Sequence, residues 1–540
     1  MRKWLIVGIV LLGFLLRTLS ISDHPVGFTP DEASFGYDAY SILKTGKDQW
    51  GHTLPLVLKS FGDDKLPLYA YLDIPFVALL GLNETAVRLP NALLGTFAIV
   101  ITFLLVRALF KREDVALLAA FLLAISPWHV MLSRGAFEAN LSTFLLPLGV
   151  LFFLAGIKKK KYLILSAIVF GLNLFSYHTA RLLTPLIVGF LLWQNWKELK
   201  KNLYVFSTVF VLFLIPAIYF YLMGGGRVAS SGIFDLGFAS DRYLAQVVGE
   251  PNLVAKIFYN KPIYVFRQFL SNYLSYFSPQ FLFTNGPAEG TYGMVPGIGV
   301  LYLVELFFLV GFILNTVRNG LTKETKLIVF WILISILPAA LTKGPGYAAN
   351  RTAFVLPALQ IILAIGGLFI YNKFKTKSLK RIVMVGYFFF LLLNFTFVAE
   401  RYWVGETVNQ APSMVYGVKE IIKSLGNIDK STNMSKVIFS KSISEPQIYV
   451  AFYTKMNPEE FQNNTKNWSL VNGWVDQMDK YSLGNYTFKS IDRIVDLKTF
   501  CGFVVGKPSE FPEDTTAQKI MYPNNSEAYW IVDRNCTSQK

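Results

Sequence analysis

Long apolar segments recur along the first 400 residues and are separated by short polar loops. A helix that crosses the hydrocarbon core of a bilayer needs about 20 apolar residues, and somewhat fewer where its ends snorkel. The pattern therefore predicts eleven membrane spans, at 4–21, 86–110, 114–132, 139–157, 162–178, 182–196, 203–222, 294–315, 326–342, 352–371 and 381–399. The segment 68–82 is shorter and contains Asp73 and Pro75. It is predicted to be a helix at the membrane interface.

The pattern changes after residue 399. Short apolar runs (KVIFS, QIYVAFY, CGFVVG and AYWIVD) alternate with polar turns, and 413–424 has the spacing of a helix. We therefore predict an all-α polytopic membrane domain over 1–399, followed by a small α/β domain over 400–540. Both cysteines, Cys501 and Cys536, lie in the second domain. They could form a disulfide in an oxidising compartment, and two unpaired buried thiols are the alternative.

Charged residues are scarce and their positions predict an orientation. Only 16% of residues are charged and 53% are hydrophobic, with a formal net charge of +16. Of the 51 Lys and Arg, 17 lie in five short loops between spans, namely FKRED, KKKK, NWKELKKN, VRNGLTKETK and NKFKTKSLKR. Short basic loops face the cytoplasm. This predicts a multi-pass protein of the plasma (cytoplasmic) membrane with a cytoplasmic N-terminus and an extracytoplasmic C-terminal domain.

Two further interpretations follow from the distribution of charge. The N-terminal segment has a basic start and an apolar middle but no small-x-small cleavage site, so we interpret it as a retained signal anchor. No basic face alternates with exposed aromatic residues, which argues against nucleic-acid binding.

The loops predicted to be outside carry an unusual set of ionisable residues. These are Asp31 and Glu32 in FTPDEASFGY, Lys65 in GDDKLPLY, Arg88 in ETAVRLPNALLGT, Glu138 in SRGAFEANLS, His178 and Arg181 in SYHTARLLTP, and Arg351 in GYAANRTAFVLPAL. Each has a structural alternative, such as a response to a helix dipole, snorkelling or, for Asp31, an N-cap of a helix beginning near Ala33. Their concentration on one face instead indicates a site.

Carboxylates and cations together suit glycosyl transfer from a lipid phosphate. A carboxylate can take a proton from an acceptor hydroxyl, while Lys and Arg bind a phosphate and stabilise its charge as it leaves. A lipid-linked donor would also explain why such an enzyme lies in the membrane.

The ordered motifs resemble those of membrane glycosyltransferases of the GT-C fold. The resemblance is to the group of protein O-mannosyltransferases and lipid A aminoarabinose transferases (glycosyltransferase family 39-like). It is carried by PDEASFGYDAYSIL, DKLPLYAYL, AVRLPNALLGTFAIV, SPWHVMLSRGAFEANLSTFL, YHTARLLTPLIV and NRTAFVLPAL. It implies an inverting transfer of a sugar from a polyprenyl-phosphate donor, on the outer face, to a protein or lipid/glycan acceptor, with membrane lipids as surroundings.

The resemblance also implies roles for individual residues. Asp31 falls at the position assigned to acceptor activation, with Glu32 beside it, and Glu138 falls at a second acidic position. Lys65 matches a lysine that approaches the donor phosphate, although this chain has KLPLY where the family has a K-P-P-L-Y-like segment. Arg88, Arg181 and Arg351 match basic residues near the donor phosphate, and His178 is a supporting candidate.

Other functions remain as alternatives at this stage. An oligosaccharide ligase of the cell envelope would use a long external loop, for which 223–293 leaves room. A lipid or sugar transporter or flippase would show charges buried in mid-span and paired helical repeats, which the sequence lacks. The sequence identifies no cofactor. A divalent cation remains an alternative, although an Asp-Glu pair offers fewer oxygen ligands than a dedicated metal site.

Overall fold

The computed structural model describes residues 2–62, 64–223, 232–234, 260–287, 289–342, 348–429, 436–471 and 473–534. Its first part is a bundle of helices. These are α1 (Arg2–Thr18), α2 (Pro30–Thr45), α3 (Leu68–Leu80), α4 (Glu84–Phe110), α5 (Glu113–Ile125), α6 (Pro127–Arg134), α7 (Leu141–Gly156), α8 (Lys160–Asn173), α9 (Ala180–Gln194), α10 (Trp196–Leu199), α11 (Leu203–Met223), α12 (Lys261–Ser275), α13 (Leu306–Asn319), α14 (Lys323–Ser335), α15 (Leu337–Ala340), α16 (Ala349–Thr352), α17 (Ala358–Lys373), α18 (Lys377–Glu400) and α19 (Glu406–Asn409).

Each predicted span falls on one or two of these helices, but several helices are shorter than predicted. Among the described residues, four helical segments are long and apolar enough to cross a membrane, or five if the bent pair α5 and α6 counts as one span. Eleven spans therefore stay a prediction. Proline explains part of the difference, since α6 begins at Pro127 after a 55° bend and α14 ends ahead of Pro338.

The helices differ greatly in how much of their surface the protein buries. The apolar part of Glu138–Gly156, which contains α7, is 67% buried, whereas that of Lys377–Asn409, which contains α18, is 6% buried. Leu203–Leu222 in α11 is 17% buried. Apolar helices exposed to this degree need a lipid environment. Thus α7 lies in the centre of the bundle, while α11 and α18 lie at its periphery.

The segment predicted to lie at the interface forms α3, which packs against α2 and α4. Its buried face includes Tyr69, whose hydroxyl donates to the Val87 carbonyl over 2.8 Å. A two-stranded antiparallel ribbon, β1 (Leu58–Lys59) and β2 (Asp64–Lys65), precedes it. This ribbon presents Lys65 next to the start of α2.

The C-terminal part contains a six-stranded mixed sheet, which confirms the predicted α/β character. Its elements are α20 (Val418–Asp429), β3 (Val437–Ser440), α21 (Pro446–Thr454), α22 (Pro458–Thr465), β4 (Lys480–Leu483), β5 (Tyr486–Lys489), α23 (Val495–Lys498), β6 (Gly502–Gly506), β7 (Gln518–Met521) and β8 (Glu527–Arg534). The strand order is β4-β5-β3-β6-β8-β7. Strand β3 is parallel to β5 and β6, and the other pairs are antiparallel.

Two details of this part differ from the sequence prediction. The run QIYVAFY forms helix α21, because Pro446 at its first position favours a helix start. Helix α20 begins later than residue 413, since Gly417 takes a positive φ of 99° that breaks the helical path. Cys501 is disulfide-bonded, and Cys536 lies outside the described residues.

The bundle and the C-terminal part share one hydrophobic core. Phe28, just before α2, and Phe35, within α2, belong to the same buried cluster as Phe439, Tyr449 and Phe452. The sheet-containing part therefore rests on the segment that carries Asp31 and Glu32.

Candidate active site

The start of α2 is fixed by a capping box. The Thr29 hydroxyl accepts a hydrogen bond from the Glu32 backbone N–H over 3.3 Å, and the Glu32 carboxylate accepts one from the Thr29 N–H over 3.0 Å. Pro30 occupies the first helical turn, where its missing N–H costs nothing. Thr29, and not Asp31, is therefore the cap. This overturns the structural alternative for Asp31.

Arg88 and Glu32 form a fully buried ion pair. The Arg88 Nε donates to Glu32 Oε1 over 2.8 Å and its Nη2 to Oε2 over 3.1 Å. The remaining donors of the guanidinium contact backbone carbonyls of the preceding segment, at Ile21 (3.1 Å), Pro25 (3.0 Å) and Gly27 (2.6 Å). The N–H of Ala136 also donates to Glu32 Oε1 over 3.0 Å.

Two predicted roles can be compared with this geometry. Arg88 was predicted to bind the donor phosphate, but its donors are engaged within the protein and none faces open space. Glu32 is predicted to be a catalytic-site residue that orients Asp31 or the sugar; both of its oxygens are likewise engaged and its side chain is buried. The pair fixes the backbone on either side of Asp31. Neither side chain of the pair is exposed.

A second buried network fixes the loop that carries Glu138. The Asn91 amide, from the same RLPN motif as Arg88, donates to the carbonyls of Leu132 (2.9 Å) and Gly135 (2.6 Å). The Asn140 amide in turn donates to the Asn91 Oδ1 over 2.9 Å. Because these amides hold both ends of the loop, Glu138 occupies a defined position at this end of the bundle.

Asp31 and Lys65 form an ion pair at the mouth of the site. Their Oδ1 and Nζ atoms are 2.6 Å apart, with the Asp31 side chain 48% exposed and the Lys65 side chain 7% exposed. The Lys65 ammonium also lies over the rings of Phe35 (4.9 Å) and Phe61 (5.0 Å). Aromatic ring faces attract an ammonium and so help to hold it in place. Asp31 is thus the exposed member of the pair, and Lys65 is the buried one.

Tyr292 links Asp31 to Glu138. Burial first, and then the neighbouring groups of Tyr177, Asp31, Glu138 and Glu289, raise the pKa of the Tyr292 phenol well above its usual range. The two predicted acidic positions therefore lie within electrostatic reach of one phenol. Tyr292 also packs edge-on against Phe137, with ring centroids 5.5 Å apart. Sequence reasoning missed Tyr292 because its motif, GTYGM, carries no charge.

The remaining predicted cations lie on neighbouring elements at the same end. His178 Nε2 is 3.0 Å from the backbone carbonyl of Asp64, next to Lys65. The Asp64 carboxylate is within electrostatic reach of Arg181. The Arg181 Nε and Nη2 atoms are buried and lack a hydrogen-bond partner among the described residues. A buried guanidinium with unused donors is costly unless a ligand engages it.

Arg351 lies on α16, which packs against the turn that contains Glu138. Its Nη1 donates to the Thr342 hydroxyl over 2.7 Å. The neighbouring Asn350 has a buried side-chain amide whose oxygen and nitrogen lack hydrogen-bond partners within the described part of the chain. Its backbone N–H donates to Glu289 over 3.4 Å. Asn350 and Glu289 are further polar groups of this end that the sequence did not single out.

The structure therefore gathers Asp31, Lys65, Glu138, His178, Arg181 and Arg351 at one end of the bundle, on the side covered by the C-terminal part. Among the described residues, no group of three or more His, Cys, Asp or Glu side chains is placed to hold a metal ion. Such an arrangement can take a proton from a hydroxyl at Asp31 and bind an anion at the neighbouring cations.

Comparison with known sequences supports the motif resemblance. Residues 64–220 match the family described as dolichyl-phosphate-mannose-protein mannosyltransferase. An uncharacterised protein of Aquifex aeolicus is 28% identical over 218 residues, which are 40% of this chain and 42% of that protein. The match thus spans less than half of that relative.

Solved structures share the fold. ArnT from Cupriavidus metallidurans, bound to undecaprenyl phosphate, has a TM-score of 0.54 at 11% identity and covers 98% of this chain and 97% of its own. The oligosaccharyltransferase AglB from Archaeoglobus fulgidus, in complex with an inhibitory peptide and a dolichol-phosphate, has a TM-score of 0.52 at 15% identity. The match covers 84% of this chain and 63% of the AglB chain. The chain has the GT-C fold, and the predicted resemblance to GT-C glycosyltransferases is confirmed.

Proposed function

We propose that this chain, which carries a mannosyltransferase-family segment on a GT-C fold, is a membrane glycosyltransferase. It transfers a sugar from a polyprenyl-phosphate donor to a hydroxyl of a protein, lipid or glycan acceptor, with inversion at the anomeric carbon. The observation that carries the proposal is the open Asp31 carboxylate, 2.6 Å from a sheltered Lys65 ammonium. This places a proton acceptor directly beside a cation that can bind a phosphate.

The donor phosphate would be bound by Lys65 and Arg181, with Arg351 nearby. Arg181 supports this assignment because its buried Nε and Nη2 atoms have no partner among the described residues. A phosphate oxygen would satisfy these donors through charge-assisted hydrogen bonds. As the bond between the anomeric carbon and the phosphate oxygen breaks, the same cations would stabilise the charge on the leaving polyprenyl phosphate.

The acceptor would be activated at Asp31. Its carboxylate would take the proton of the acceptor hydroxyl as the hydroxyl oxygen attacks the anomeric carbon from the face opposite the phosphate. Glu138 and Tyr292, which are within electrostatic reach of each other, would bind the sugar. Glu32 and Arg88 would serve indirectly, by fixing the backbone that carries Asp31.

An oligosaccharide ligase is the second candidate, because AglB shares the fold. The family match over residues 64–220 favours transfer of a single sugar. The two functions differ in the donor, which would be a monosaccharide on polyprenyl phosphate or a preassembled glycan.

The donor class can be tested directly. The purified protein is incubated with undecaprenyl-phosphate monosaccharides and with a lipid-linked oligosaccharide, together with a Ser/Thr-rich peptide or a total lipid extract of the expression host. We expect consumption of one monosaccharide donor and release of undecaprenyl phosphate. Consumption of the oligosaccharide alone would establish the ligase, and consumption of neither would contradict both functions.

Arg181→Met is expected to weaken donor binding while preserving the fold. One charge-assisted hydrogen bond contributes about 1.5–3 kcal/mol, which corresponds to roughly 10- to 150-fold in donor affinity. Undecaprenyl-phosphate binding, measured by ligand-dependent thermal stabilisation, reports the change. Arg318→Met is the matched control, since Arg318 is exposed in the last turn of α13. Equal donor affinity in the two variants would remove Arg181 from the donor site.

The proposed location is the plasma membrane, with the site and the C-terminal part outside. Asn524→Cys, in the exposed turn between β7 and β8, should react with a membrane-impermeant maleimide in intact cells. Lys158→Cys, in the exposed loop between α7 and α8, should react only after permeabilisation. The positive-inside rule gives this expectation, because the loop that contains Lys158 is short and basic. The opposite labelling pattern would place the site in the cytoplasm.

A further inference from the structure

Helix α21 of the C-terminal part runs beside α2 in the same direction. The Tyr449 hydroxyl donates to the Phe28 carbonyl over 2.7 Å, at the start of α2. Further along both helices, the Tyr37 hydroxyl donates to the Met456 carbonyl over 3.0 Å. Because the contacts advance together along the two helices, their N-terminal ends lie side by side. The start of α2 carries Asp31, and the start of α21 carries Glu445.

Glu445 is held at this position by its backbone. It occupies the N-cap of α21 with φ 47° and ψ 54°, a left-handed conformation. A non-glycine residue in this region is uncommon and costs free energy, so its surroundings must enforce it. Such outliers concentrate at functional sites. Glu445 does not cap the helix through its side chain, so the conformation is not explained by capping.

The orientation of the Glu445 carboxyl is also fixed. The Gln447 Nε2 donates to Glu445 Oε2 over 2.7 Å. The Tyr481 hydroxyl donates to the Gln447 Oε1 over 2.8 Å, which fixes the direction of the amide. This chain of hydrogen bonds engages one Glu445 oxygen and leaves Oε1 for another donor.

The charges around Glu445 join it to the site. Burial is the main reason that the pKa of its carboxyl is raised to about 7. Asp476 and Asp31 raise it further, while the Gln447 hydrogen bond and the Lys65 ammonium lower it. Glu445 is thus within electrostatic reach of both members of the Asp31–Lys65 pair.

We propose that Glu445 is an acceptor-binding residue contributed by the C-terminal part, whose carboxylate accepts a hydrogen bond from the acceptor next to Asp31. The proposal rests on the glycosyl transfer proposed above. It requires an acceptor that bears a second donor group, a hydroxyl or an N–H, beside the attacking hydroxyl. The C-terminal part would then help to select the acceptor.

The test measures acceptor KM in the full-length enzyme with an undecaprenyl-phosphate monosaccharide as donor. The acceptor probe is the Ser/Thr-rich peptide or the total lipid extract, whichever is glycosylated by the unchanged protein. Glu445→Gln should raise acceptor KM about tenfold or more, the loss expected for one hydrogen bond to a charged group. Donor affinity should stay unchanged. Glu459→Gln is the matched control, because Glu459 is an exposed carboxylate on the neighbouring helix α22.

The pH dependence separates this role from a merely structural one. The Glu445 carboxyl is ionised above a pKa of about 7, and only the ionised form is a pure acceptor. Acceptor KM of the unchanged protein should therefore fall about tenfold between pH 6 and pH 8. In Glu445→Gln this dependence should disappear. An unchanged KM together with an unchanged pH dependence would overturn the proposal.

A second variant covers the case in which Glu445→Gln does not fold. Gln447→Leu removes the hydrogen bond that lowers the pKa of Glu445, so the fall in acceptor KM should move to higher pH. An unmoved profile in this variant would also contradict the role of Glu445.

If the unchanged protein uses no polyprenyl-phosphate donor at all, the proposed function fails, and this inference fails with it. Normal transfer with an unaffected acceptor KM rejects the inference alone.

Discussion

Asp31→Asn is expected to lower turnover by roughly 10²–10⁴-fold, the usual contribution of a general base. Asparagine preserves the shape of the side chain but cannot take the acceptor proton. Since Thr29 caps α2, the substitution leaves the helix start intact. The Asp31 side chain is 48% exposed, so loss of its ion pair should change stability little. Turnover with saturating donor, measured as released undecaprenyl phosphate, gives the result.

Two measurements accompany this prediction. Donor affinity of Asp31→Asn should stay close to that of the unchanged protein, because Lys65 and Arg181 keep their charges. Asp23→Asn serves as the control, since Asp23 is an exposed carboxylate in the same segment. Near-normal turnover in Asp31→Asn would show that Asp31 does not act as the base.

Arg88→Met is expected to destabilise the protein strongly. The substitution leaves the buried Glu32 carboxylate without its cation and the carbonyls of Ile21, Pro25 and Gly27 without a donor. Removal of one partner of a buried ion pair typically costs about 3–5 kcal/mol. Thermal unfolding of the purified protein in detergent should show a large decrease in Tm, and membrane expression should decrease with it.

Arg88 can be distinguished from a phosphate-binding residue by the same measurement. A phosphate-binding arginine at the surface of the site would leave Tm near its original value and weaken donor binding. The double variant Glu32→Gln/Arg88→Met should recover part of the lost stability, because it removes the unpaired charge. A double variant no more stable than Arg88→Met would argue against the coupling of the two residues.

The sequence predicted the positions of many helices and the set of motifs that meet at one end of the bundle. Apolar length located the helices, and the motifs assigned to one face of the membrane meet at one end of the bundle. The resemblance favours Asp31 as the general base and Glu32 as a residue that orients it or the sugar, but the sequence does not show which of the two carboxylates is buried. The two carboxylates are adjacent in the chain, and only the position of Arg88, 56 residues from Glu32, decides which is buried.

The contribution of the C-terminal part was also beyond the sequence. Glu445 is the last residue of the short stretch SISE, which resembles an ordinary turn. Its place near Asp31 depends on contacts such as Tyr449 to Phe28, which are 421 residues apart. Hydrophobic periodicity reports local structure and which face is buried, but it does not report which distant elements meet. The left-handed backbone conformation of Glu445 could not be predicted either, because glutamate rarely adopts it.

The Arg88–Glu32 pair also has a consequence in time. Chains are synthesised at about 5–20 residues per second, N-terminal parts first. The segment 21–32 therefore waits about 3–11 s for Arg88, which follows Glu32 by 56 residues. The contact between Phe28 and Tyr449 forms later still, because Tyr449 is 421 residues away and is synthesised roughly 20–80 s after Phe28. During biosynthesis the segment that carries Asp31 is thus anchored first by α4 and only later covered by α21. A chain that ends before residue 446 would leave Phe28 exposed to water.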